Sequence, residues 1–154
     1  MWTVLHDGRW RCGRRNGGCC VVHASSGGGG VGAQFNLGCC YRDGNGVAAD
    51  AAAAVKCFTS AANAGQADAM TSLAGCYENG TGVAVDFAKS FALFMRAAVA
   101  GNAGAQYNLG LNYLYGICGI ARDVAQAREL FTHAAAGGNA GAAAELAKLD
   151  AAPP

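Results

Sequence analysis

Apolar positions recur at i, i+4 and i+8 through the central part of the chain. Ala33, Leu37 and Tyr41 form one such stripe, and Ala54, Phe58, Ala61 and Ala62 form another. This spacing puts the side chains on one face of a helix. Between the stripes lies Gly44-Asn45-Gly46-Val47, whose two glycines allow a tight turn. Asp50 stands four residues ahead of the second stripe, where a carboxylate can accept an orphan backbone N–H and complement the helix dipole. Gly65 follows the stripe, where a helix C-terminus favours glycine. The pattern therefore predicts helix, turn, helix, turn.

The same pattern returns after a shift of 36 residues. Ala33-Gln34-Phe35-Asn36-Leu37-Gly38-Cys39-Cys40-Tyr41 aligns with Ala69-Met70-Thr71-Ser72-Leu73-Ala74-Gly75-Cys76-Tyr77. It aligns again with Ala105-Gln106-Tyr107-Asn108-Leu109-Gly110-Leu111-Asn112-Tyr113. Asp86 and Asp123 repeat Asp50, Phe94 and Phe131 repeat Phe58, and Gly101 and Gly138 repeat Gly65. The third turn, Gly116-Ile117-Cys118-Gly119-Ile120, is one residue longer. A fourth copy starts at Ala142 and Leu146 and breaks off. One helical hairpin cannot cover its own apolar face, so stacked units must bury it together. The expected fold is all-α, an α/α superhelical solenoid of about three and a half units of 36–37 residues. The units are placed at 32–67, 68–103 and 104–140, with a half unit at 141–150. Gly38, Ala74, Gly110 and Ala147 share one slot, where a small side chain lets two helices approach. Aromatic slots (Tyr41, Tyr77, Tyr113; Phe58, Phe94, Phe131) then supply the buried area of an alanine-rich core.

The string A-x-x-x-L-G-x-x-Y-x-x-G-x-G-V-x-x-D-x-x-x-A-x-x-x-F-x-x-A-A-x-x-G, read from Ala33 to Gly65 and again in the two following units, resembles the Sel-1-like repeat. This family is an α/α relative of the tetratricopeptide repeat. A lysine common shortly after the aspartate in the family is present here only as Lys89, with Ala53 and Gln126 in the other units. The resemblance implies a right-handed superhelix acting as a non-catalytic scaffold or adaptor for a protein or peptide. Some family members are cysteine-rich, with bridges seven residues apart and a link to penicillin binding. Cys57 is not at that slot and no pair recurs at that spacing, so neither the bridges nor a β-lactam activity carries over.

Residues 1–31 do not show the motif cleanly. In register, Val22 falls under Phe58 and Gly29 under Gly65. The segment is read as a degenerate or disordered N-terminal stretch, with a worn helix cap as one alternative. Gly13, Gly17 and Gly18 weaken such a helix by about 1 kcal/mol each relative to alanine. Gly27-Gly28-Gly29-Gly30 reads as a flexible joint.

Composition narrows the function classes. The net charge is +1 and charged residues make up only 14%, which argues against a general nucleic-acid binder with a basic face. No apolar run reaches the ~18 residues of a membrane helix, and no ordinary export signal is visible in the first thirty residues. The eight cysteines have irregular spacings, so free thiols in an intracellular, cytoplasmic setting are the expectation. Gly27 to Gly32 satisfies G-x-G-x-x-G only formally, without the strand and acidic residue of a dinucleotide site. Cys12, Cys19, Cys20 and His23 lack the paired knuckles of a zinc site. Asp50, Asp86 and Asp123 recur one unit apart, which capping explains and a catalytic carboxylate pair does not. The expectation is no enzyme, no cofactor and no metal.

A binding surface remains. First-helix slots that vary while the frame stays fixed are the candidates for partner recognition. These are Gln34, Met70 and Gln106; Arg42 and Glu78, with Leu114 in the third unit; and Asn36 and Asn108, with Ser72 between them. The alternatives are a regulatory or accessory subunit, or a fragment of a larger enzyme, and, more weakly, a secreted cysteine-rich repeat protein with hydrolase-like ligand binding.

Overall fold

A computed structural model describes residues 30–151 with their side chains. Before them it describes the backbone of three short strands: β1 (Trp2–Val4), β2 (Arg9–Cys12) and β3 (Val21–His23). Seven helices follow: α1 (Val31–Asp43), α2 (Ala51–Asn63), α3 (Ala67–Asn79), α4 (Phe87–Val99), α5 (Ala103–Tyr115), α6 (Val124–Ala136) and α7 (Ala140–Ala151). From α1 onward the chain is an all-α solenoid of helix–turn–helix units, in which each helix packs against the one before and the one after it.

The end signals act as their chemistry dictates. Asp50 Oδ1 accepts the Ala53 N–H at 3.0 Å, Asp86 Oδ1 accepts that of Lys89 at 3.0 Å, and Asp123 Oδ1 accepts those of Ala125 and Gln126. The backbone N–H of each capping aspartate donates to the carbonyl of the preceding unit tyrosine: Asp50 to Tyr41, Asp86 to Tyr77 and Asp123 to Tyr113, at 2.8–3.0 Å. That bond closes each hairpin turn. After the second helix, Gly65 N–H donates to Ala62 O and Gln66 N–H to Ala61 O, the paired bonds of a Schellman end. Gly101 with Asn102, and Gly138 with Asn139, repeat the arrangement.

The core runs along the stack. Phe58, Phe94 and Phe131 are fully buried. A Cβ placed on Gly38 would lie 2.6 Å from Phe58 Cε1, and one on Gly110 would lie 2.6 Å from Phe131 Cε1. Both rings thus rest directly on the backbone of the facing helix. Ala74, at the same slot, is fully buried in one core cluster with Phe94. Ala147, at the corresponding slot of α7, is exposed.

The strands are a departure from the sequence reading. β1, β2 and β3 pair antiparallel in that order, with Trp10 opposite both Val4 and Val22. Val22, which a worn second helix would contain, lies in β3, and β3 packs against α1. Trp10, Val21 and Val22 suit strands better than helix, because aromatic and β-branched residues favour strands and the neighbouring glycines cost helix stability. The rest of residues 1–29, including the Gly27–Gly29 joint and Cys19 and Cys20 of the considered zinc set, lies outside the described residues. Cys57, Cys76 and Cys118 are free thiols.

Candidate interaction surface

The expected recognition slots fall in different settings. Met70 and Gln106 border open depressions described below, and Gln34 lies on α1. Gln34 and Gln106 are half-buried, and the Gln106 amide donates to Ala98 O of the preceding second helix at 3.2 Å. Met70 is a core side chain, 5% exposed. This slot lies in the seam between a first helix and the second helix before it. Asn36 is exposed and Asn108 half-buried. Arg42 is exposed and held by its neighbour Asp43, whose carboxylate keeps the guanidinium charged and is itself pulled below the usual carboxylate range. Glu78 is half-buried, and its carboxylate lies 3.8 Å from the Cys118 thiol. Burial pushes both Glu78 and Cys118 up. Leu114 is buried.

The seam that holds Gln106 opens into a groove of about 330 Å³. Leu109 and Tyr113 of α5 form its floor. Met95, Ala98 and Val99 of α4 form one wall, and Gln126, Leu130 and His133 of α6 the other. Met95 and Val99, one helical turn apart, also border a second depression with Met70 and Arg96, of about 340 Å³. The two are joined along the α4 ridge. Val99 is 85% exposed and Met95 39%. Contiguous apolar side chains left in water in this way mark surfaces that meet another molecule.

The repeat itself supplies the contrast. Met95 stands where the other units have Thr59 and Thr132, Val99 where they have Asn63 and Ala136, and Met70 where they have Gln34 and Gln106. The second unit is thus more apolar at three slots that meet on one patch. The sequence carries this signal: Met70 is among the first-helix slots named above, while Met95 and Val99 lie on second-helix slots that reading passed over.

Several other polar side chains have structural duties. Asn102 caps α5 by accepting the Ala105 N–H at 2.9 Å, and it bridges to Asp68 and Thr71 of the preceding unit. Asn139 caps α7 through the Ala142 N–H at 3.0 Å. Among the described residues there is no cluster of His, Cys, Asp or Glu able to hold a metal. Among them too, no helix is long and apolar enough to cross a membrane.

A stack of helical hairpins sharing one frame and differing at surface slots is a repeat solenoid. The chain belongs to the Sel1 repeat family, whose model matches residues 31–66, 67–102 and 103–139. Members of this family are generally protein-interaction scaffolds and generally non-catalytic. The chain is similar to the solved structure of c5321, a protective antigen of uropathogenic Escherichia coli strains with an SLR fold: 37% identity, TM-score 0.69, covering 73% of this chain and 24% of that one. It is also similar to a Sel1 repeat protein from Oxalobacter formigenes: 36% identity, TM-score 0.71, covering 77% of this chain and 48% of that one. The chain thus spans about a quarter and about half of the length of these relatives. No curated protein matches it significantly.

Proposed function

We propose that this chain is a non-catalytic scaffold that holds a protein or peptide partner on its repeat surface. The observation that carries the reading is the exposed apolar ridge of α4 beside the groove between α4, α5 and α6, where the same slots hold threonine, asparagine or alanine in the other units. A rigid stack suits such work, because a preformed surface orders few side chains on binding. The first-helix residues Asn36, Asn108, Arg42 and Glu78 are a second place where a partner can be read, with Gln34, Met70 and Gln106 shaping the seams behind them.

The test uses the full chain as bait in the organism it comes from. Two variants serve as controls: Asn36→Asp/Arg42→Glu for the first-helix face and Met95→Thr/Val99→Asn for the groove. A partner that binds directly when purified, and that one of the two variants loses, supports the reading. A chain that holds no protein directly under native conditions contradicts it.

A further inference from the structure

We infer that the α4 ridge and its two flanking depressions bind an acidic, apolar segment of a partner protein. The segment's large apolar side chains would fill the groove, and its carboxylate would face Arg96. This rests on the scaffold reading above and names the partner's chemistry.

The apolar half of the argument comes from the three substitutions confined to the second unit. Threonine at the Met95 slot is compatible with this fold twice in the same chain, and asparagine or alanine at the Val99 slot likewise. The helix frame therefore does not require methionine and valine there. Val99, at 85% exposure, gains almost nothing from the fold. Burial against a partner is what such a side chain can gain.

The charged half comes from the second helices. Between them α2, α4 and α6 carry Lys56, Lys89, Arg96 and Arg128, with Glu129 as the one carboxylate. Lys89 pairs with Asp86, and Arg128 with Asp150. Arg96 and Lys56 have no ion pair among the described residues. Arg96 borders the depression beside Met70, and His133, at the same slot one unit on, borders the groove. An apolar strip with the exposed Arg96 at its edge complements a segment that interleaves leucine-like and acidic side chains, and opposite charges steer such a segment to the strip. Gln126 on the α6 wall offers its amide to the segment's backbone.

The experiment measures fluorescence anisotropy of a short labelled peptide of glutamate and leucine at helical spacing, titrated with the full chain. Two companion peptides replace glutamate by lysine, or leucine by serine. The glutamate–leucine peptide should bind best. Met95→Thr/Val99→Asn should weaken it by about tenfold, the loss of an anchor. Arg96→Glu should reduce or reverse the preference over the lysine peptide. All three exchanged residues are exposed, so an unchanged melting temperature verifies folding. Equal binding by the double variant, no preference among peptides, or no binding by the wild-type chain overturns the assignment. Self-association in sedimentation that the double variant abolishes would give the patch to a second copy and also overturn it. None of these results touches the scaffold reading, which stands or falls on direct partner binding by the whole chain.

Discussion

Replacing Gly82 by alanine tests how the first two units are joined. Gly82 lies in the turn between α3 and α4 with φ +72°. A Cβ there would lie 2.3 Å from Ala51 O, 2.4 Å from Ala51 C and 2.8 Å from Ala52 N, at the first turn of α2 in the previous unit. These are backbone atoms, so no side-chain rotation relieves the clash. Gly119, in the equivalent turn of the third unit, has φ +76° and nothing within 4 Å of its Cβ. The left-handed backbone costs a non-glycine residue about 1–2 kcal/mol. Reduced freedom of the unfolded chain offsets about 0.4–1 kcal/mol of that. Gly119→Ala should therefore cost about 0–1.6 kcal/mol, the net of those two effects. Gly82→Ala carries the same strain and must also move the turn by about 1 Å off α2, an overpacking cost of about 1–3 kcal/mol. Its total should be about 1–4.6 kcal/mol, about 1–3 kcal/mol above Gly119→Ala. Urea unfolding followed by circular dichroism reads the difference directly. Equal midpoints for the two variants would refute the close approach between the second turn and α2.

Four further outcomes follow from the same geometry. Asp86→Ala removes the acceptor for Lys89 N–H and should cost about 0.5–2 kcal/mol in denaturant unfolding. Phe94→Ala empties a site that is 1% exposed in the central unit and should cost about 3–5 kcal/mol in the same assay. Ser90 Oγ and Asn112 Nδ2 are buried without a hydrogen-bond partner on the facing helices α4 and α5, where the preceding junction has Ala54 and Cys76. Ser90→Ala/Asn112→Cys should therefore raise stability by about 1 kcal/mol, because an unmet buried polar group is costly while an apolar pair is not. Burial raises the Glu78 carboxyl, so the folded state holds that proton more tightly than the unfolded state. Its contribution is then fully present below the ordinary carboxylate pKa and is lost as pH rises above that value, through the raised folded-state one. Glu78→Gln should flatten this part of the stability–pH curve.

Where one repeated side chain has one local task, the sequence was readable. The three capping aspartates, the closing glycines and the phenylalanines on Gly38 and Gly110 all sit where periodicity places them. Local chemistry recurring in three registers leaves little freedom. The recognition slots were less legible, because exposure depends on the neighbouring unit. Met70 occupies a slot that is half-buried at Gln34 and Gln106, yet in the second unit it sinks into the core. The groove required comparing second-helix slots, where Met95 and Val99 break with Thr59 and Asn63. The three N-terminal strands were not foreseen, since each is only three or four residues long and carries too few positions for a period to show.

Site-specific photo-crosslinking tests the central claim most directly. A benzophenone side chain would be placed at Val99 in one full-length chain, and at Ala144, exposed on α7 and outside the lining of both depressions, in another. Each would be irradiated under native conditions. The account predicts a defined protein adduct at Val99, lost with Met95→Thr, and none at Ala144. Adducts of equal yield at both positions, or at neither, would contradict a scaffold that holds its partner on this ridge.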